Sequence, residues 1–228
     1  MFRKFFQALQ FRMIAGQLRH PRGGKGDKLG RMMNRANEFL YDYTIGIMQP
    51  ASNESILEIG FGNGKFFDKL FATSADLKLT GLDFSKTMVR AATSNNKKAI
   101  TEGRLDLRFG RSDKLPFPGN SFDKIFCINV IYFWDQPLQH LQEIQRVLKP
   151  GGRFYAAVRS KESMLEMPFT KYGFNFYDRG KWKAVLAEAG LTFIGERAVD
   201  EPLADLATIG AGNTQLVVRS LCVEAEKN

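Results

Sequence analysis

A glycine-rich loop preceded by an acidic residue is the segment of this sequence best suited to chemistry. The loop GFGNG occupies residues 60–64, and Glu58 stands two residues before it. Glycines let the chain turn tightly and let a ligand approach the backbone, while the start of the following helix offers free N–H donors. The dinucleotide-binding pattern G-x-G-x-x-G would need glycine in place of Lys65. A carboxylate at this place instead suits a ligand that bears an amino group.

Two further carboxylates follow the next two predicted strands. Asp83 ends the strand LKLTGLD, where a carboxylate can accept hydrogen bonds from both hydroxyls of a ribose. Helix capping is a weaker interpretation of Asp83, because Ser85 already stands at the capping position. Asp113 follows the third strand and is either a turn residue or an acceptor for an adenine amino group, with the backbone N–H of Ser112 beside it. Together these positions predict a nucleoside-binding edge.

The elements that would position these residues alternate between strands and helices. Such alternation predicts βαβ units and a parallel sheet. The first five predicted strands are SILEI, LKLTGLD, RLDLRF, FDKIFCINV and GRFYAAV. The last two, LTFIGERAV and TQLVVRSLCV, have only a loop between them and predict a closing antiparallel pair. Ahead of the strands, helices are predicted over residues 2–18 and 32–48, with the glycine-rich segment 21–30 as a loop.

These motifs, in this order, resemble the class I S-adenosylmethionine-dependent methyltransferases, and above all the group that includes the ubiquinone/menaquinone-biosynthesis methyltransferases. The resemblance covers about residues 50–220 and rests on LEIGFGNGKF, GLDFS, GRSDKLPFPGNSFDKIFC and RVLKPGGRFYAAV. It implies S-adenosyl-L-methionine as the cofactor. It also implies an α/β, Rossmann-like, doubly wound sheet of seven strands in the order 3-2-1-4-5-7-6, with the last strand antiparallel.

The resemblance further implies which residues hold the cofactor. They are Glu58, Gly60, Gly62, Gly64, Asp83, Phe84, Ser112, Asp113 and Asn129, with Asn34 and Asn37 from the N-terminal arm. Glu58 would lie near the methionine amino group, the glycines beneath the cofactor, and Asp83 at the ribose. Phe84 would lie against the adenine and Asn129 would close the methionine end. A core aromatic and a strand-end cap are equally open roles for these last two.

Basic charge is concentrated in the N-terminal arm. Residues 1–35 contain nine Lys or Arg and one acidic residue, so they carry +8 of the total net charge of +9. We expect a helical lid over residues 1–50 and a methyltransferase core over 51–228. An apolar stripe that includes Phe2, Phe5, Phe6 and Leu9 would cover the acceptor pocket. Docking on nucleic acid, weak contact with an anionic membrane surface, and targeting are the alternatives for the arm.

Composition excludes several classes of protein. Cys127 and Cys222 stand alone, without metal-ligand spacing or a disulfide framework, so a reducing, cytoplasmic location and no metal are expected. No apolar run reaches the roughly 18 to 20 residues of a transmembrane helix. The segment after the fourth strand, residues 129–132, lacks the paired prolines of the N6-adenine and glutamine methylases. Nucleic acid is therefore not the expected partner.

The remaining sequence predicts methyl transfer to a small organic acceptor. In-line displacement from a sulfonium needs orientation and water exclusion more than an acid or base. Tyr132 is the candidate for positioning the acceptor, and the insert 160–180, rich in aromatic residues and methionine, is its candidate cap. The alternatives are an RNA or protein methyltransferase that docks through the basic arm, and a catalytically inactive protein that binds the cofactor.

Overall fold

A seven-stranded sheet forms the centre of the molecule. The computed structural model describes residues 2–74, 76–202 and 217–228, with the side chains of all of them except 2–5, 25, 27 and 29. The strands are β1 (Ser55–Ile59), β2 (Lys78–Asp83), β3 (Leu105–Phe109), β4 (Phe122–Ile128), β5 (Leu148–Arg159), β6 (Leu191–Asp200) and β7 (Arg219–Lys227). Their order is β3-β2-β1-β4-β5-β7-β6, with β7 antiparallel to both of its neighbours. The predicted strand order and the antiparallel seventh strand are confirmed.

Helices cover both faces of the sheet. They are α1 (Phe2–Arg19), α2 (Gly23–Met48), α3 (Phe67–Phe71), α4 (Lys86–Asn95), α5 (Lys97–Thr101), α6 (Pro137–Val147), α7 (Lys161–Leu165) and α8 (Arg179–Glu188). Successive strand residues point to opposite faces, so the apolar strands feed two buried clusters. In β4, Ile125 and Cys127 belong to one cluster, and Phe126 and Ile128 to the other. The C-terminal half of α2 joins the second cluster through Leu40.

Residues 23–30 of the glycine-rich segment 21–30 are helical, so the prediction of a loop was wrong there. α2 begins at Gly23, and only residues 20–22 separate it from α1. A Cβ on Gly26 would lie 2.8 Å from the carbonyl carbon of Pro21, and one on Gly30 would lie 3.5 Å from the sulfur of Met88. Gly26 therefore allows the close approach of Pro21 at the start of α2, whereas a Cβ on Gly30 would make an ordinary contact with α4. α2 forms here despite the low helix propensity of glycine.

The apolar stripe predicted for α1 faces away from the cavity, which corrects the expectation that it covers the acceptor pocket. Phe6 is 64% exposed, Leu9 50% and Met13 49%, while the side chains of Phe2 and Phe5 lie outside the described residues. The residues that pack inward are Phe11, Ile14, Ala15 and Leu18. Both sets repeat at helical spacing, so periodicity alone could not identify the inner face. The contact of α1 with the 3₁₀ turn Pro168–Lys171 determines which face of the helix is the inner one.

The insert 160–180 packs into the first buried cluster. Met164, Met167 and Phe169 are buried there. The start of the predicted last strand, residues 214–216, lies outside the described residues, and β7 begins at Arg219. No helix within the described ranges is long and apolar enough to cross a membrane. The same ranges contain no cluster of His, Cys, Asp and Glu that could hold a metal ion.

Candidate cofactor and acceptor site

A cavity of about 790 Å³ opens where the parallel strands end. Ligands of open α/β sheets bind at the carboxyl ends of strands, where the strand order reverses, which here falls between β1 and β4. The sequence-predicted residues that line it are Glu58, Gly60, Gly62, Asp83, Phe84, Ser112, Asp113, Asn129, Asn34, Asn37 and Tyr132. Gly64 is not among the lining residues. One continuous cavity thus brings together residues from five separate segments.

Glu58 is a buried carboxyl group at the end of β1. Its Oε2 accepts a hydrogen bond of 2.6 Å from the hydroxyl of Tyr41, which comes from α2. Burial raises the pKa of Glu58 to about 8, the hydrogen bond from Tyr41 lowers it in part, and nearby Asp83 raises it further. Sequence analysis missed Tyr41. Tyr41 is spaced from Asn34 and Asn37 so that all three lie on one side of a helix. That spacing is the sequence feature that could have identified Tyr41 as a site residue.

Asp83, the last residue of β2, is held by two backbone N–H groups. Gly62 donates to Oδ2 at 3.0 Å and Ser85 donates to Oδ1 at 2.8 Å. Burial raises the pKa of Asp83 to about 6, although these two hydrogen bonds by themselves lower it. The Ser85 hydroxyl caps α4 by accepting from the N–H of Met88, as predicted, and donates to the carbonyl of Pro21 at 2.6 Å. The carboxylate is therefore fixed in direction and faces the cavity.

The three loop glycines have different structural roles. All three have positive φ, at +79° for Gly60, +59° for Gly62 and +66° for Gly64. A Cβ on Gly60 would lie 2.5 Å from Cγ2 of Val130, and one on Gly64 would lie 2.8 Å from the Cβ of Ala92. A Cβ on Gly62 would meet nothing within 4 Å. Gly64 is thus a packing position between the loop and α4, and Gly62 lies beside the open cavity.

Changing Gly64 to alanine should destabilise the protein more than changing Gly62. Each substitution puts a side chain in the left-handed region, at a cost of about 1 to 2 kcal/mol, and Gly64→Ala adds overpacking against α4 of about 1 kcal/mol or more. Urea unfolding of both variants measures the difference. Equal loss of stability in the two variants would show that α4 moves aside freely. Gly62→Ala serves as the control for the backbone cost alone.

The predicted adenine end already contains side-chain partners. The ring of His20 lies 4.6 Å from that of Phe84, and the Ser112 hydroxyl lies 2.7 Å from Nδ1 of His140. Asp113 accepts hydrogen bonds from Nε and Nη2 of Arg111, which lower the pKa of its carboxyl group. Burial lowers the pKa of His140 to about 4, so its ring is neutral at pH 7. Contacts to His20 and Arg111 were not expected from the sequence.

Asn129 connects the strand ends to the arm. It follows β4 with φ of +56°, a conformation that asparagine tolerates better than most residues. Its side-chain amide donates to Oδ1 of Asn37 at 3.1 Å. The Tyr132 hydroxyl donates to Oδ1 of Asn129 at 3.2 Å and to the carbonyl of Arg159 at 2.8 Å. Burial raises the pKa of Tyr132, so its hydroxyl stays protonated and holds these acceptors in place.

A buried ion pair between Arg159 and Glu201 was not predicted. Nε and Nη2 of Arg159, the last residue of β5, each donate to Glu201 at 3.0 Å. Nη2 also donates to the carbonyl of Ala36 in α2 at 2.5 Å, and Ser220 donates to Glu201 at 2.5 Å. The pair therefore ties α2, β5 and the ends of β6 and β7 together, and Arg159 also lines the cavity. The separation of residues 159 and 201 in the sequence gives no indication that they form an ion pair.

Beyond the strand ends the cavity becomes apolar. Met164, Met167, Phe169 and Phe174 line it from the insert. α1 contributes the side chains of Phe11, Ile14 and Leu18. The arm is attached there by an ion pair between Arg19 and Asp135, with a further hydrogen bond of 3.2 Å from Arg19 to the carbonyl of Phe133. The polar end suits a charged nucleoside, and the apolar end suits an uncharged organic group.

The strand order, with an antiparallel last strand, defines the Rossmann-like methyltransferase class of fold. Residues 57–156 match the family model described as a methyltransferase domain. The chain therefore contains a methyltransferase domain, and its relatives include class I S-adenosylmethionine-dependent methyltransferases. The family resemblance stated from the motifs is thereby confirmed, and use of S-adenosylmethionine follows for the family.

Individual relatives agree with this assignment. The chain is 28% identical over 134 residues to the uncharacterized methyltransferase YdaC of Bacillus subtilis, covering 59% of this chain and 72% of YdaC. It is 30% identical over 145 residues to the ubiquinone/menaquinone biosynthesis C-methyltransferase UbiE of Geotalea daltonii, covering 57% of this chain and 62% of UbiE. The chain thus spans less than two thirds of the length of UbiE.

A solved structure shows the same fold. It is a chain of the complex between the Haloferax volcanii Trm112 methyltransferase activator and a methyltransferase, with a TM-score of 0.73. The identity is 21%, and the alignment covers 88% of this chain and 94% of the other. Similarity at this level extends to the fold, and the acceptor must be argued from the cavity itself.

Proposed function

We propose that this chain transfers a methyl group from S-adenosylmethionine to a small, largely apolar organic acceptor. The observation that carries the proposal is the single cavity with buried carboxyl groups at one end and methionine and aromatic side chains at the other. UbiE, named for its part in quinone biosynthesis, supports a small-molecule acceptor. The basic arm supports RNA or protein methylation as the second candidate.

The buried carboxyl groups fit the cofactor. The one hydrogen bond to Glu58 from the described residues is that of Tyr41, which leaves the rest of this cavity-lining carboxyl free to accept from an ammonium group. Asp83, fixed by two backbone N–H groups, retains lone pairs for the hydroxyls of a ribose. When bound, the cofactor supplies an electrophilic methyl group on a charged sulfur, so no residue has to activate the leaving group.

The chain's own contribution to the transfer is orientation and exclusion of water. Asn129, Asn37 and Tyr132 form a fixed hydrogen-bonded group beside Gly60 and Glu58, where the methionine end would lie. The cap residues Met164 and Phe169, together with α1, exclude solvent from the apolar end. The acceptor atom is held in line with the methyl group, and water is excluded. Most of the rate acceleration of methyl transfer then comes from this positioning. The division into a lid over residues 1–50 and a core over 51–228 stays a prediction.

A metabolite screen tests this function. The purified chain is incubated with S-adenosylmethionine and a panel of apolar hydroxylated, amino and enolic compounds, and release of S-adenosylhomocysteine is measured. Turnover with such compounds but not with RNA or protein fractions is the expected result. Turnover confined to RNA or protein would favour the second candidate. Cofactor binding with no turnover on any class would identify a catalytically inactive member.

Binding of the cofactor should release a proton at neutral pH. With a pKa of about 8, Glu58 is mostly protonated at pH 7 in the free protein, whereas a bound ammonium group favours the carboxylate. Affinity for S-adenosylhomocysteine should therefore rise with pH up to about 8, by up to about tenfold per unit. Calorimetry in buffers of different ionisation enthalpy measures the released proton.

The same linkage affects stability in the opposite direction. The pKa of Glu58 is higher in the folded protein than its ordinary value of 4.5, so the free protein should lose stability as pH rises from about 5 to 8. Glu58→Gln should remove both the proton release and this part of the pH dependence. Release of a proton from Glu58→Gln equal to that of the unaltered protein would assign the titration to another group.

A further inference from the structure

The guanidinium of Arg159 has hydrogen-bond donors that the described part of the chain does not use. A guanidinium carries five N–H donors in one plane. In Arg159 the N–H of Nε and the two of Nη2 are directed to Glu201 and to the carbonyl of Ala36. Those three bonds are all that this guanidinium donates to the described residues, so both N–H groups of Nη1 lack a partner among them.

Nη1 of Arg159 is open to the cavity. Arg159 is only 4% exposed, and it lines the cavity at the end of β5. Among the described residues, the one fully buried side-chain nitrogen or oxygen without a hydrogen-bond partner is Nε1 of Trp182. Nη1 therefore keeps accessible surface, and for a side chain so deeply buried that surface faces the cavity it lines. The two unused N–H groups are available to a ligand that fills this cavity.

Arg159 stands at the boundary between the polar and the apolar end of the cavity. Its carbonyl accepts a hydrogen bond of 2.8 Å from the Tyr132 hydroxyl, and its backbone N–H donates to Oδ1 of Asn129 at 3.3 Å. The ring of Tyr132 lies 5.8 Å from that of Phe174, which lines the apolar end. Because β4 separates β5 from β1, the strands of Arg159 and Glu58 are about 10 Å apart. Arg159 is therefore on the acceptor side of Asn129.

We propose that Nη1 of Arg159 binds a carbonyl oxygen of the methyl acceptor, so that the acceptor is an apolar carbonyl compound. This inference rests on the proposed methyl transfer and narrows its acceptor class. An apolar molecule without an oxygen at this place would displace water from Nη1 and leave charged donors unpaired, which is costly. A site with such donors discriminates strongly against analogues that lack the hydrogen-bonding group.

A neutral carbonyl fits Arg159 better than a carboxylate does. Glu201 already balances the charge of Arg159. A carboxylate on the acceptor, or that of the cofactor's methionine moiety, would therefore bring a second buried negative charge to one positive charge.

A carbonyl also fits better than a hydroxyl group, which would bring a donor of its own. The acceptor atoms bonded to Arg159 are already engaged, since both carboxylate oxygens of Glu201 accept from its guanidinium. Oδ1 of Asn129 accepts from the Tyr132 hydroxyl and from the N–H of Arg159. A carbonyl oxygen only accepts, so it adds neither a charge nor an unpaired donor.

Binding of small probes to the chain loaded with S-adenosylhomocysteine tests the proposal without turnover. The probes are 2-acetylnaphthalene, 2-isopropenylnaphthalene, in which a CH₂ group replaces the carbonyl oxygen, and the anion 2-naphthoate. Calorimetry gives the three affinities. We expect the ketone to bind about ten- to 150-fold more tightly than the hydrocarbon, the range for a hydrogen bond to a charged group. The ketone should also bind more tightly than 2-naphthoate.

Two variants assign this preference to Arg159. Arg159→Met combined with Glu201→Met removes Nη1 without leaving a buried charge, and should abolish the preference for the ketone. Arg159→Lys keeps a positive charge beside Glu201, but its ammonium lacks the planar fork, so the preference should be lost there too. Affinity for S-adenosylhomocysteine should stay within about twofold in both variants.

The matched control is Arg153→Met combined with Glu224→Met. It removes another ion pair between β5 and β7, and neither residue lines the cavity, so the preference for the ketone should persist.

Equal affinity of the unaltered chain for the ketone and the hydrocarbon would overturn the proposal. So would tighter binding of 2-naphthoate, binding of none of the probes, or a preference that survives in both Arg159 variants. Loss of S-adenosylhomocysteine binding in Arg159→Lys would also overturn it, and would assign Nη1 to the cofactor carboxylate. Failure of the unaltered chain to bind S-adenosylhomocysteine would instead refute the proposed function, so the two failures are distinguishable.

Discussion

Glu201→Ala should lower the free energy of unfolding by about 3 to 5 kcal/mol, the cost of leaving one member of a buried ion pair without its partner. Arg159 and Glu201 are both almost fully buried, and the alanine would leave the guanidinium without its carboxylate. For a chain of this size that loss corresponds to a fall in the unfolding midpoint of roughly 6 to 20 °C. Thermal and urea unfolding measure it.

Two comparisons isolate the cause. Asp106→Asn breaks an ion pair with Arg108 in which both side chains are half exposed, and should cost less than about 1 kcal/mol. Replacement of Arg159 and Glu201 together by methionine removes both charges, and should be less damaging than Glu201→Ala alone. If Glu201→Ala proves no less stable than Asp106→Asn, water must reach Arg159, and the pair is not the link between α2 and the sheet.

Asp83→Ala should weaken the binding of S-adenosylhomocysteine by about 1.5 to 3 kcal/mol, or roughly ten- to 150-fold, because it removes charged acceptors from the ribose. The variant also loses the hydrogen bonds from Gly62 and Ser85, so some loss of stability accompanies it. Calorimetry on the folded variant gives the affinity, and thermal unfolding gives the loss of stability.

Asp123→Ala is the control for the structural part of this effect. Asp123 also accepts a backbone N–H, from Ser55 at 2.8 Å, but it does not line the cavity. Its replacement should lower stability and leave affinity for S-adenosylhomocysteine within about twofold, since 0.4 kcal/mol is a factor of about two. Normal binding by Asp83→Ala would disprove the ribose role, and equal losses of affinity in both variants would point to a general loosening of the fold.

The sheet could be predicted from sequence because its signals are local. Ser55–Ile59 is a short apolar run with a glycine loop after it, and the structure has β1 over the same five residues. Ser85 stands in the capping position directly before α4, and its hydroxyl makes the capping bond. In both cases the residues that determine the element are neighbours in the chain.

The arm could be predicted only in part, because its structure depends on distant contacts. Four glycines within residues 21–30 suggested a loop, but Gly30 faces Met88, nearly sixty residues away, and residues 23–30 form the start of α2. The two stripes of α1 are equally periodic, so only the insert decides which one turns inward. The partner of Glu58 likewise comes from an element seventeen residues earlier in the chain. Contacts between residues that are distant in the sequence leave no recognisable pattern in the residues next to them.

The position of β7 has a consequence for the order in which the sheet can be assembled. β7 lies between β5 and β6 and is the one strand to which β6 is hydrogen-bonded within the described residues. β6 is synthesised before β7, so its pairing depends on a strand that comes later in the chain. The five parallel strands, β1 to β5, can pair with one another before β7 is available. Until β7 is added, β5 and β6 each have an unpaired strand edge. A chain that has not yet paired β7 therefore exposes open strand edges, which favour aggregation.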